Sequence, residues 1–221
     1  MPRRKLNLKA RAVRMEETRQ RIVQAAYDLH RTIGPARTTI SAIAERAGVQ
    51  RNTVYQHFPD ELSLSAACTS YGLTLDPQPD PVLLAAILDP TERLRVALLR
   101  QYGYYRRNAS LLDNVLRDAP LMQQRLQNAG LDWQAVPEVM REFIAQPIAI
   151  QNALLEGWQT PESANQRVQA AIALAVDFTT WRLLVRDQQL DEEDAIDLMV
   201  GFVVSVWSRD RQLEDACSAS S

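Results

Sequence analysis

Between Thr38 and Phe58 the chain reads TTISAIAERAGVQRNTVYQHF, and this stretch constrains the fold more than any other. Ile40, Ile43 and Ala44 recur at helical spacing, and Ala47 closes the same face. Gly48 supplies a tight turn, and Val49 plugs the corner behind it. A second short helix is predicted from about Gln50 to His57, with Val54 and Phe58 facing inward. Its outer face carries Arg51, Thr53, Tyr55, Gln56 and His57. Two short helices joined this tightly make a helix-turn-helix, whose second helix is offered to the major groove of duplex DNA.

The charge distribution points to the same partner. Residues 1–57 hold 12 Lys+Arg against 4 Asp+Glu, a balance of +8. The rest of the chain holds 13 against 23, a balance of −10, which leaves the net charge of −2. A basic head on an acidic body is the electrostatic footprint of a DNA reader joined to something else.

Composition sets the fold class. Only 7 Gly in 221 residues, and no segment alternating with period two, predict an all-α protein with enough hydrophobic residues for a packed core. No apolar run approaches the roughly 18 residues of a membrane span. The N-terminus, MPRRKLNLKARAVR, lacks the apolar centre of a signal peptide, so a cytoplasmic protein without membrane contact is expected. Cys68 and Cys217 lie far apart without metal-type spacing and are expected to be reduced thiols. The two histidines, His30 and His57, have no partner at triad or metal spacing, and there is no Gly-rich phosphate loop. Neither enzymatic activity nor a cofactor or metal is expected.

The predicted organisation is a flexible basic arm over 1–14, a helix-turn-helix domain over 15–60, and a helical body over 61–221 that opens with a connecting helix at 61–75. A first helix is predicted from about Met15 to Ile33, ended by Gly34 and Pro35. Thr38 or Thr39 caps the next helix, and Pro59 and Asp60 separate the recognition helix from the fourth. The polar stretch DPQPDP at 76–81 is the best linker. Beyond it, helices are predicted over about Thr91–Asn108 and Ser110–Arg117, after Pro120 and Pro137, from Pro161 to about Gln188, and after Asp191.

The last two of these helices are apolar on more than one stripe, and two stripes need two burial partners. One is the domain's own core; the other is expected to be a second subunit, giving a four-helix dimer interface, and the alternative is a pair of helices deeply buried inside a monomer. Phe178, Trp181, Val185, Met199, Phe202, Val203 and Val206 are the expected interface residues. Aromatics scattered through the body, Tyr102, Tyr105, Trp133, Phe143, Trp158, Phe178 and Trp181, either line an apolar effector pocket or form ordinary core.

Residues 16–65 resemble the DNA-binding domain of the tetracycline-repressor-like (TetR) transcriptional regulators. The resemblance rests on RIVQAAYDLH, TTISAIAERAGV, TVYQHF and FPDELSL. It implies a homodimer that binds a palindromic operator, usually as a repressor, and is released by a small-molecule effector bound in the C-terminal domain. Thr38 and Thr39 would hold phosphate, and Gln50, Arg51 and Thr53 would face base edges or the groove wall. Tyr55 and His57 match positions that touch phosphates and thymine methyls, with Gln56 between them. Arg51 is the expected direct reader, since a guanidinium matches guanine O6 and N7 bidentately. The arm, including Arg3, Arg4 and Lys5, would follow the backbone or enter the minor groove.

Three positions depart from the family pattern. Gln50 and Asn52 stand where the family often has Ser and Gly, so Asn52 is expected to reach a phosphate itself. Glu61 stands where Lys is usual, which removes a phosphate clamp. A DNA-bound structural or division-control protein on the same scaffold, without an effector, is the alternative function.

Overall fold

The computed structural model describes residues 2–158 and 162–218, with side chains described for 9–158 and 165–209. The described residues are helical almost throughout, with no strand among them. The all-α expectation holds. No single described helix is long and apolar enough to cross a membrane.

The chain packs as two compact units, one joining residues 1–77 to 109–143 and the other joining 78–108 to 144–221. The linker at 76–81 falls at one of these junctions.

In the first unit, α1 spans Pro2–Thr32, α2 Ile40–Ala47, α3 Arg51–His57 and α4 Glu61–Leu75. Helix α1 begins at Pro2 rather than near Met15. Residues 2–14 contain no Gly, are rich in Leu, Ala, Lys and Arg, and carry their one Pro at the first helical position, all of which favour helix. Its inward stripe is Ile22, Val23, Ala25 and Ala26, with Leu29 packed beside them. These residues meet Ile43, Ala44 and Ala47 of α2, Val54 of α3, Phe58, and Leu64 and Cys68 of α4 in one core. Burying each large aliphatic residue here contributes about 1.5–3 kcal/mol. The Cys68 thiol sits in this core against the Val23 carbonyl, and burial raises its pKa to about 12, so it behaves as a packing residue. Cys217 lies outside the described side chains.

Helix α6 spans Pro90–Asn128 and enters both units. The sequence predicts two helices here and a third starting at Pro120, but the structure has one. Nothing between Asn108 and Ala119 breaks a helix. Pro120 then sits inside the helix, where it removes the bond to the carbonyl four residues earlier and its ring crowds that carbonyl, yet the helix continues to Asn128.

The second unit contains α5 (Pro81–Ala85), the first half of α6, most of α7 (Glu138–Leu155), α8 (Glu162–Ala175), the short α9 (Phe178–Trp181) and α10 (Glu192–Ser218). The single helix predicted up to Gln188 is interrupted at Val176–Asp177. Asp177 caps α9 by accepting from the Thr179 amide at 2.7 Å. Two hydroxyls from α6 satisfy carbonyls exposed by the break: Tyr102 donates to Ala175 at 2.9 Å and Tyr105 to Val176 at 2.6 Å. The predicted cap at Asp191 is present, accepting from Glu193 N at 2.9 Å. Pro161 lies outside the described residues. Arg93, which no sequence pattern singles out, is 4% exposed and donates to the carbonyls of Ile87, Ala153 and Glu156.

Candidate nucleic-acid interface

The turn between α2 and α3 is closed by backbone geometry. Gly48 takes φ 65° and ψ 40°, the left-handed region where a Cβ is disfavoured. The Gly48 amide then reaches Glu45 O at 3.1 Å, and Val49 N reaches Ala44 O at 2.9 Å. Arg21 of α1 caps Ala47 O at 3.2 Å, and Arg46 pairs with Asp28 at 3.1 Å, which fixes α2 on α1. Gly48→Ala is expected to cost the first unit about 1–2 kcal/mol, read as a lower urea midpoint at unchanged m-value.

Helix α3 buries Val54 completely and leaves Arg51, Asn52, Tyr55 and Gln56 exposed, with Thr53 and His57 half-buried. The helix is anchored by Val54 and by Phe58, over whose ring the Arg19 guanidinium sits at 5.1 Å. The exposed set is polar apart from the Tyr55 ring, which is 45% exposed. A short helix with one buried anchor and an outward fan of donors has the chemistry for groove contact.

The two threonines before α2 differ. Thr39 is the N-cap, its hydroxyl oxygen accepting from Ala42 N at 3.2 Å. Its hydroxyl proton stays available for a phosphate oxygen. Thr38 donates its proton to the Gly34 carbonyl at 2.8 Å, so that hydroxyl has none left to give. Glu61 is exposed at the start of α4, with Arg125 4.0 Å away. The side chains of Arg3, Arg4 and Lys5 lie outside the described set.

Behind the interface, the loop from Ile33 to Arg37 is held by the second half of α6. The Ala36 amide donates to Asp118 Oδ2 at 2.9 Å, and Arg117 Nε donates to Asp118 Oδ1 at 2.8 Å. Burial alone would raise the Asp118 pKa, but the hydrogen bonds from Arg117 and Ala36 and the charges of Arg117 and Arg37 outweigh it, and the carboxyl is held below its usual range. Sequence reasoning missed Asn114, Arg117 and Asp118 because three polar residues on a helix look like a solvated face. Only their burial and their partners distinguish them.

His30 lies near the same carboxylate. Burial lowers its pKa to about 4, and the Asp118 charge opposes that shift only in part. The folded state therefore excludes a proton that the unfolded chain takes up below about 6.5. Stability is complete above that pH and is lost as pH falls from about 6.5 to about 4. The total is on the order of 3 kcal/mol. Asp118, its pKa lowered, adds a further loss only below its unfolded value. His30→Gln should flatten the stability-versus-pH curve across this window, measured by urea unfolding, and an unchanged slope would refute this assignment.

The residues expected at an effector site are not all brought together. Tyr102, Tyr105, Phe178 and Trp181 are buried side by side, with Tyr105 against Phe178 at 5.3 Å and Trp181 at 6.0 Å. Trp158 is buried elsewhere in that unit, edge-on to Trp207 at 5.4 Å. Trp133 and Phe143 belong to the first unit, where Trp133 is 50% exposed on a short 3-10 turn. The two tyrosine hydroxyls are used in capping, but Gln101 Oε1 and Trp181 Nε1 have no hydrogen-bond partner.

Of the expected dimer residues, Phe178, Trp181, Met199 and Val203 are buried within one chain and offer a partner almost no area. Phe202 is 37% exposed, and Val185 and Val206 are half-buried. Leu174 on α8 and Leu198 on α10, each 50% exposed, extend the apolar surface of these two packed helices.

Residues 22–67 match the family of bacterial regulatory proteins, tetR family. The HTH-type transcriptional regulator SrpR of Pseudomonas putida is 40% identical over 72 residues, covering 31% of this chain and 34% of SrpR. The uncharacterized HTH-type transcriptional regulator TtgW, also of Pseudomonas putida, is 39% identical over 72 residues, covering 31% of this chain and 54% of TtgW. The chain thus spans about a third to a half of the length of these curated relatives. Two solved structures share the fold. A tetR-family transcriptional regulator from Streptomyces coelicolor aligns with TM-score 0.58 at 19% identity, over 92% of this chain and 86% of its own. A putative fatty acid metabolism regulator from Clostridium perfringens aligns with TM-score 0.57 at 18% identity, over 84% and 97%. The chain thus carries a segment of the tetR family of bacterial regulatory proteins over residues 22–67, and it shares its helical fold with these two solved structures.

Proposed function

We propose that the protein is a sequence-specific transcriptional repressor that binds a palindromic operator as a homodimer and is released by a small-molecule effector. The exposed polar face of α3, carried on the segment that matches the family, is the observation that supports this reading most. Gln50, Arg51, Asn52, Thr53 and Gln56 address the major groove, while Thr39, Tyr55 and His57 take phosphates or thymine methyls. The basic start of α1, with Arg3, Arg4 and Lys5, supplies further phosphate attraction.

Dimerisation uses the outer faces of α8 and α10, where Leu174, Leu198 and Phe202 remain exposed in the single chain. The effector is received in the second unit. Support comes from the buried aromatic group around Tyr105 and Trp181 and from the unpartnered Gln101 Oε1 and Trp181 Nε1, an acceptor and a donor that a ligand would satisfy. An effector lowers operator affinity by the ratio of its affinities for the two states.

Mobility-shift titration of the purified protein on a palindromic fragment against scrambled DNA tests the first part. A two-fold-symmetric footprint protected at moderate salt supports it, and equal binding to both fragments refutes it.

A further inference from the structure

We propose that Asn114, Arg117 and Asp118 of α6 are positioning residues for operator recognition: they hold the loop between α1 and α2 and so set where α2 and α3 stand. This rests on the DNA-binding reading above.

The loop must reverse the chain between α1 and α2, and it carries polar groups that need partners. The carbonyls ending α1 have no intrahelical donor. Asn114 Nδ2 donates to His30 O at 3.1 Å and Arg31 O at 2.8 Å, and Arg117 Nη2 donates to Ile33 O at 2.9 Å. A guanidinium at a helix C-terminus also meets the negative end of the dipole. Arg117 is itself oriented, since Nη1 reaches Asn114 Oδ1 at 2.7 Å and Nε reaches Asp118. Asp118, 2% exposed, receives the Ala36 amide. A short stretch of α6 therefore satisfies both ends of the loop.

The hold passes onward through a short path. Gly34 has φ 93°, a conformation that favours glycine, and a Cβ there would collide with the Arg117 guanidinium and the Asp118 carboxylate. The Gly34 carbonyl accepts from Thr38 Oγ1 at 2.8 Å, and Thr39 then caps α2. Helix α2 carries α3 through the left-handed turn at Gly48. The three α6 residues stand behind the groove-facing surface, yet a shift of the loop they hold moves the first turn of α2 and the helix after it.

The test is operator and random-DNA affinity of Asp118→Asn and Arg117→Ala, with amide hydrogen exchange on the same proteins. Asp118→Asn keeps the shape but puts an amide where Arg117 needs an acceptor. The Arg117 side chain is 42% exposed, so its alanine variant is expected to fold. The expected result is loss of exchange protection at Ala36 and Thr38, retained protection at Ile22 and Val54, and operator binding weakened about tenfold or more for Asp118→Asn and about fivefold for Arg117→Ala. Random-DNA binding should change less than about threefold. Operator affinity within about twofold of wild type in Arg117→Ala, with protection at Ala36 lost, would overturn the proposal. So would equal losses on operator and random DNA. A wild-type protein without operator preference would instead refute the DNA-binding reading, while exchange at Ala36 would still report whether the loop is held.

Discussion

Arg51→Ala is expected to weaken operator binding by about 1–3 kcal/mol per half-site and to relax preference at one base pair in each. Arg51 is the first residue of α3, exposed, with the helix anchored behind it by Val54. A guanidinium there presents two parallel donors, the pattern that fits guanine O6 and N7. Removing it leaves the fold untouched, because nothing in the core depends on it. Competition binding against an operator and its single-base variants measures both effects. If affinity falls equally on operator and random DNA, Arg51 contacts phosphate only. Lys at this position should retain the charge but lose most of the discrimination, because an ammonium lacks the fork.

Trp181→Ala is expected to lower the stability of the second unit by about 3–5 kcal/mol. The ring is 1% exposed and touches Phe178 at 5.4 Å and Tyr105 at 6.0 Å, so alanine leaves a cavity lined by aromatic faces that cannot close it. The indole nitrogen has no partner, so no hydrogen bond is lost. Trp181→Phe keeps most of the packing and removes the unpartnered donor, and it should cost less than about 1.5 kcal/mol. Urea unfolding followed by circular dichroism separates the two variants. A loss under about 1 kcal/mol in Trp181→Ala would mean that the cluster is loosely packed.

The head was legible in the sequence because its signals are local. The spacing of Ile43, Ala44 and Ala47, the glycine at 48 and the caps at Thr39 and Asp60 each act within a few residues, and each is present. Helix existence in the body was legible too, but its breaks were not. Pro120 is a breaker in isolation, yet it lies inside α6. Val176–Asp177 carries no glycine or proline, and the helix breaks there because Asp177 caps α9 and two tyrosines, 73 and 71 residues earlier than the carbonyls they reach, satisfy the freed acceptors. The hold on the α1–α2 loop was invisible for the same reason: Asp118 and Ala36 are 82 residues apart, and no local pattern pairs them. The apolar stripes of α8 and α10 identified buried helices. They could not separate residues buried within one chain, such as Val203, from those left partly exposed, such as Phe202.

Selection of bound fragments from the source genome with the purified protein, sequenced after washing at low and at moderate salt, tests the central claim most directly. A single palindromic motif that survives moderate salt, and that is lost in Arg51→Ala, is the predicted result. Recovery of unselective DNA that disappears as salt is raised would contradict it, leaving only attraction between the basic head and phosphate.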